Sequence, residues 1–273
     1  MIMKNSVGEI SIICLLIALI FLSQACSTVP LIGRKQVSLV PESQIVAMSL
    51  TNYDSFLKEN KLSTNKEQTD IVKRVGARMS VAVEKYLTEN GYKDRVSDFK
   101  WEFNLVESKE VNAWCMPGGK VVFYTGIMPL TKNDAGVAVV MGHEIGHAVA
   151  RHGNERMSEQ LIAQYGQVAL SELVKTKPQE TQALFQSAYG LGAQYAVLLP
   201  YSRIQEYEGD KLGLIFMAIA GYNPNEAISF WERMAANSTA KQPEFLSTHP
   251  LEQNRIDAIK QFLPEAMKYY SGK

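Results

Sequence analysis

The sequence predicts a mainly α fold with a small antiparallel β-sheet (α+β), and three observations carry that prediction. Phe99, Trp101, Phe103 and Leu105 alternate with polar residues, the period of a strand with one buried face. The runs Val111–Met116 and Lys120–Thr125 are joined by Pro117-Gly118-Gly119, which completes a meander of about three strands. From Asp134 onward apolar residues recur at helical spacing and no strand signal returns. The 273 residues carry 28 basic and 28 acidic side chains, and 46% are apolar. That balance excludes a disordered tail, a collagen-like fibre and a polycationic nucleic-acid binder. Cys14, Cys26 and Cys115 are too few for a disulfide framework and show no CxxC spacing.

Taken in order, residues 1–25 read as a leader: Lys4, then the almost unbroken apolar run Ile10–Leu22 of 13 residues, then Ala25 before Cys26. Such a run is too short to cross a bilayer, which takes about 20 residues, and suits a signal peptide. Leu22-Ser23-Gln24-Ala25-Cys26 resembles a bacterial lipobox, with Ser23 where an aliphatic residue is usual. It implies an acylated Cys26, a lipid-anchored tether over residues 26–36, and a single domain over 37–273. Pro41 starts a helix carrying Ile45, Val46, Met48 and Leu50. A second helix, about Thr69–Glu89, lines up Val72, Val75, Met79 and Val83 and stops at Asn90-Gly91. After the sheet, helices are expected over about 134–152, 155–174, 180–199, 202–220, 225–237 and 251–262. Gln186, Ser187 and Gln194 interrupt the apolar stretch Ala183–Leu199, which reads as a packed or lid helix.

Chemistry concentrates in His143-Glu144-Ile145-Gly146-His147, an HExxH run. Residues four apart on a helix share a face, so His143 and His147 can present two imidazoles to one metal, with Glu144 beside the metal's water. With 4 His and 28 acidic residues in the chain, the run is expected by chance only about 0.006 times. Val139, Val140, Met141, Ala148 and Val149 surround it, and a divalent cation would offset the desolvation of so polar a trio. His152 lies off that face and is expected to meet the last carbonyls of the helix. A catalytic zinc takes three protein ligands and an open position. On the residues alone the third ligand is either His249 or a carboxylate of Glu206-Tyr207-Glu208-Gly209-Asp210, where Glu206 and Asp210 share a face.

HExxH, the distant ExExD helix, the preceding Asn112-Ala113-Trp114-Cys115-Met116-Pro117-Gly118-Gly119 and the later Ser247-Thr248-His249-Pro250 with Arg255-Ile256 stand in one order. Together they resemble the gluzincin metallopeptidases of the Ste24 and HtpX type, most of all their soluble periplasmic lipoprotein branch. The resemblance covers about Val37–Phe262 and departs at Gly209, where alanine is usual. It implies a gluzincin-like domain holding one Zn²⁺ per chain on His143, His147 and Glu206, with Glu144 as general base. Asp210 would then back a zinc-bound imidazole, and His249 would stabilise the oxyanion or hold substrate.

The function expected is a zinc-dependent endopeptidase acting on unfolded or misfolded proteins of the bacterial cell envelope. Substrate would add as a strand along Asn112, Ala113 and Trp114. Acylated Cys26 would hold the enzyme to a membrane, the outer one being favoured, facing the periplasm. The alternative is a zinc-containing, chaperone-like envelope lipoprotein with latent or no proteolytic activity. Intact Glu144 argues against it.

Overall fold

A computed structural model describes residues 26–174, 202–237, 243–250 and 253–272. The expected leader and the expected helix over 180–199 lie outside the described residues. The chain enters as a hairpin, β1 (Cys26–Thr28) pairing antiparallel with β2 (Lys35–Val37). This stretch, expected as a tether, is docked. The buried Gln36 amide donates to the Ala150 carbonyl at 2.6 Å, and Arg95 donates to the Thr28 carbonyl at 2.7 Å.

Two helices follow, as the patterning requires. α1 (Glu42–Glu59) buries Ile45, Ser49 and Tyr53. α2 (Lys66–Glu89) starts at Asn65, whose side chain accepts the Gln68 N–H and so satisfies one otherwise orphaned donor. Its stripe of Val72, Val75, Met79, Val83 and Leu87 faces the main core, and Gly91 follows at φ +83°.

β3 (Glu102–Val106), β4 (Ala113–Met116) and β5 (Lys120–Tyr124) form a sheet of order β3-β5-β4. The expected antiparallel meander is corrected here: β4 pairs antiparallel with β5, but β3 pairs parallel with it, so the sheet is mixed. The cause is the connection over residues 107–112, which passes across the end of β5 instead of turning back on β3. Gly126 N–H donates to the Ser108 carbonyl at 2.8 Å and Thr125 Oγ1 donates to the same carbonyl at 2.7 Å. Both sheet faces are covered, not one. Leu105, Ala113, Val121 and Phe123 join the main core, while Val106 and Val122 pack with Tyr53 of α1.

α3 (Met128–Thr131) leads to α4 (Asp134–Ala150), the HExxH helix, capped by Asn133 accepting the Gly136 N–H at 2.9 Å. Every residue from Gly136 to Ala150 is buried. The helix ends two residues before the predicted His152. Arg151 adopts left-handed φ 60° while its N–H still reaches the Ala148 carbonyl, and α5 (His152–Val174) then starts in a new direction.

α6 (Arg203–Ile219) begins with a reciprocal cap, Ser202 Oγ accepting Gln205 N–H and Gln205 Oε1 accepting Ser202 N–H. It lies against α4 through bare backbone. A Cβ at Gly142 would stand 2.8 Å from the Gly213 carbonyl oxygen, and one at Gly146 would stand 2.7 Å from that of Gly209. α7 (Glu226–Ala236), the short α8 (Glu244–Thr248) and α9 (Gln253–Ala266) close the core with Phe230, Trp231, Phe245 and Ile259.

Candidate metal centre

α4, α6 and the end of α8 bring His143, His147, Glu206 and His249 together, with one donor atom from each within 4.8 Å of the others. All four are buried. His143 Nε2 lies 3.1 Å from His147 Nε2, 3.1 Å from His249 Nδ1 and 3.5 Å from Glu206 Oε2. Glu206 Oε1 lies 3.4 Å from His147 Nε2 and 2.9 Å from His249 Nδ1. Two ligands at about 2.1 Å from a tetrahedral zinc stand about 3.4 Å apart, so this donor set has the size and chemistry of a zinc site. Three imidazoles and a carboxylate turned inward on one another in an apolar interior carry a desolvation cost that a divalent cation would offset. The glycine seam makes the approach possible. Gly209 leaves its backbone bare beneath the rings, and a Cβ there would come within 2.9 Å of His147 Nε2.

The flanking groups orient these donors. Asp210 Oδ1 is 2.9 Å from His143 Nδ1, the position expected for a carboxylate that holds a ligating ring. Arg255, which entered the sequence reading only as part of a motif, is the residue that reading missed. It is 1% exposed, donates to Asp210 at 2.6 and 2.9 Å, lies 2.6 Å from Glu206 Oε2, and covers the Trp231 ring at 4.0 Å. Its signal in the sequence was a strong cation on an otherwise apolar α9 face beside Ile256 and Ile259. Burial favours a neutral Glu206, but the charges of Arg255 and His143 outweigh it and hold the carboxyl well below its usual range. The same contest, won by Arg255, lowers Asp210. Burial pushes His147 well below its usual value, keeping the ring neutral as a metal ligand must be.

Glu144 sits beside this cluster. Its Oε1 is buried without a hydrogen-bond partner, with His249 Nε2 3.4 Å away. Burial raises its carboxyl to about 8. A backbone hydrogen bond from Cys115 in β4 acts the other way. Burial also pushes the Cys115 thiol well above its usual value, which makes it an apolar neighbour and not a nucleophile.

The three strand residues divide. Tyr124 N–H donates to the Asn112 carbonyl, so by antiparallel alternation Ala113 and Cys115 turn their backbone groups outward, away from β5. β4 is an edge of its sheet. Asn112 Oδ1 currently accepts the Ala113 N–H at 2.9 Å. Trp114 is not brought to the site. Its ring packs under α1 against Phe56 at 4.9 Å and Tyr53 at 6.2 Å. His152 is also corrected: expected at the last carbonyls of the helix, its ring nitrogens meet His147 Nδ1 at 2.8 Å and Glu208 Oε2 at 2.8 Å, because the turn at Arg151 aims it back at His147.

Known proteins similar in sequence are metalloendopeptidases and a further protease. The chain is 38% identical over 173 residues to the mitochondrial metalloendopeptidase OMA1 of Schizosaccharomyces pombe, covering 63% of this chain and 49% of that one. It is 32% identical over 228 residues to the protein of the same name in Arabidopsis thaliana, covering 80% and 45%. It is 30% identical over 162 residues to the beta-barrel assembly-enhancing protease of Yersinia pestis, covering 57% and 33%. The chain thus spans about half the length of the mitochondrial relatives and a third of the bacterial one. Peptidase family M48 matches residues 74–263, a span that takes in the HExxH helix, the Glu206 helix, His249 and Arg255, and the chain belongs to that family.

Proposed function

We propose that the protein is a zinc-dependent endopeptidase in which His143, His147 and Glu206 hold the metal and Glu144 is the general base. The observation that carries this is the convergence of three neutral or anionic donors at tetrahedral spacing beside a carboxyl that accepts no hydrogen bond at Oε1. When bound, zinc polarises the scissile carbonyl and acidifies water to a pKa of about 7. Glu144, as the carboxylate, takes the proton from the attacking water and passes it to the leaving amine, and the burial that raises its pKa makes that carboxylate the stronger base. His249 can hold the oxyanion, since its Nε2 faces the Glu144 side of the cluster. Asp210 and Arg255 keep the His143 ring and the Glu206 carboxylate in place.

Substrate enters as an extended strand along the outward edge of β4 at Ala113, displacing Asn112 from the Ala113 N–H, while Cys115 keeps its backbone hydrogen bond to Glu144. Backbone pairing of this kind reads chain more than side chain, so unfolded or misfolded polypeptides are the expected substrate class. Asn112 and Ala113 serve it directly, and Trp114 only supports the strand. The setting proposed is the bacterial envelope, with Cys26 acylated and the domain facing the periplasm from the outer membrane, the kind of anchored form its lipobox-like run implies. Support for an envelope role in protein quality control comes from the similarity to a protease whose name concerns β-barrel assembly.

One observation favours the latent alternative. His249 Nδ1 lies among the other three donors, and a fourth protein ligand would close the position that a catalytic zinc keeps open. The test is zinc content and cleavage of an unfolded protein, with and without chelator, in the same preparation. Bound zinc with chelator-sensitive cleavage supports the endopeptidase. Bound zinc with no cleavage, restored by His249→Ala, supports latency. A protein without zinc refutes both.

A further inference from the structure

His147 and His143 are supported differently, and the difference leads out of the site to the start of the described chain. His143 Nδ1 meets a carboxylate directly, Asp210 Oδ1 at 2.9 Å. His147 Nδ1 instead meets a second imidazole, His152 Nδ1 at 2.8 Å, and His152 Nε2 meets Glu208 Oε2 at 2.8 Å. Glu208 is gripped by Arg34 of the β1–β2 hairpin, Nε to Oε1 at 2.6 Å and Nη2 to Oε2 at 2.9 Å. The other edge of the same guanidinium holds Glu155 at 2.6 and 2.9 Å, and Gln205 donates to Glu155 at 2.7 Å. His152, Glu155, Gln205 and Glu208 are all at most 5% exposed.

We propose that His152, Glu208 and Arg34 form a buried relay that sets the tautomer and ring orientation of His147, which makes the N-terminal hairpin part of the metal site. The chain of protons admits one consistent assignment. His147 turns Nε2 toward His143 and Glu206, so that nitrogen must offer its lone pair and the ring proton sits on Nδ1. The acceptor of that proton is His152 Nδ1, which must therefore be bare. The His152 proton is then on Nε2 and is donated to Glu208, an acceptor kept ionised by the His152 hydrogen bond and Arg34 against the opposing effect of burial. Such outer partners hold a ligating ring in the direction the metal needs and raise its basicity. His152, Glu208 and Arg34 are positioning residues, because none of them touches substrate or metal. The left-handed turn at Arg151 is what points His152 inward.

This inference rests on the zinc reading above, and the test separates the two. Zinc affinity is measured on the full chain by competition with a chromogenic chelator for wild type, His152→Leu, His152→Asn and Arg34→Met. His152→Leu should weaken zinc binding about 10- to 100-fold, the range seen when an outer partner of a ligand is lost. His152→Asn puts an amide oxygen near the Nδ1 position and should recover most of that loss, a rescue that a purely space-filling role would not give. Arg34→Met should weaken binding in the same direction by less. In zinc-loaded wild type, nitrogen NMR of the imidazoles should find His152 as the Nε2–H tautomer. Wild-type affinity in a folded His152→Leu protein, or His152 as the Nδ1–H tautomer or as imidazolium, overturns the relay. Where His152→Leu does not fold, the tautomer measurement decides. A wild-type protein that takes up no zinc overturns the metal reading, and the relay with it.

Discussion

Glu144 and Glu206 share one buried cluster, yet their carboxyls are driven in opposite directions. Burial, joined by the charge of Glu206, wins at Glu144 and raises it to about 8, whereas Arg255, 2.6 Å from Glu206 Oε2, wins at Glu206 and lowers it. Two carboxyls pushed apart in this way separate a proton carrier from a permanent anion. Glu144→Gln should therefore leave zinc content unchanged and cut hydrolysis by about 10²- to 10⁴-fold, as losing a general base does. Cleavage surviving within a few fold, measured beside zinc content on the same sample, would refute the assignment. The metal-free protein adds a check with a definite sign. An acid whose folded pKa is raised destabilises the fold increasingly as pH climbs from its unfolded value through its folded one. Glu144→Gln should thus raise the apoprotein's melting temperature at pH 8 and leave it unchanged at pH 4. Arg255 works the other way. Removing it strands Asp210 and Glu206 as buried charges, a loss of about 3–5 kcal/mol when a buried pair is broken. Both carboxyls are held low, so this contribution is complete above the ordinary carboxylate range and is lost as pH falls below it. Denaturant titration of apo Arg255→Met should show the deficit at pH 7, a smaller one in acid, and a smaller one again with zinc, whose charge replaces that of the guanidinium.

Between elements, the site depends on how closely α4 and α6 approach. Gly142 and Gly146 face Gly213 and Gly209 backbone to backbone, and that contact sets the reach of Glu206 toward the two histidines. Gly146→Ala gains about 1 kcal/mol of helix propensity. Its Cβ, however, would meet the Gly209 carbonyl oxygen at 2.7 Å, and backbone cannot swing aside as a side chain can. Overpacking of about 1–3 kcal/mol should win, lowering the melting temperature by several degrees. Zinc affinity should fall with it as Glu206 is carried outward. An unchanged affinity would mean that the ligands do not depend on this seam. The helices themselves were legible because apolar spacing lies within the element it specifies, as in the stripe of α2, whereas the Asn65 cap, which starts α2 at Lys66 and not at about Thr69, was not read. His143, Glu144 and His147 were legible for the same reason, one helix and one face. The parallel pairing of β3 with β5 was not, because alternation gives a strand but not its neighbour, and the crossing at residues 107–112 is settled by bonds to Thr125 and Gly126. The role of His152 was hidden by one left-handed residue, Arg151, which no periodicity announces.

Across the whole molecule, the contacts that sequence spacing could not supply are those of long range. Arg34 meets Glu155 across 121 positions and Glu208 across 174, and Arg255 meets Asp210 across 45. The Arg34 ion pairs dock the hairpin within residues 26–36, the stretch expected as a lipid-anchored tether, and this bears on how the protein would meet a membrane. No helix among the described residues is long and apolar enough to cross one. Cys26 stands exposed at the first position of β1, and its neighbours hold the hairpin through Gln36, Arg34 and Thr28 without it. Acylation there would add membrane affinity without altering a buried contact. A single acyl chain anchors only marginally, so stable attachment needs two or more chains at this position. Cys26→Ser should consequently shift the protein from the membrane fraction to the soluble exported fraction. Melting temperature, zinc content and cleavage of a soluble unfolded substrate should all stay at wild-type values. Fractionation and the three assays on one preparation decide it. Persistent membrane association of Cys26→Ser would place the anchor elsewhere in the chain, and release accompanied by lost zinc would mean that the hairpin needs its cysteine to fold.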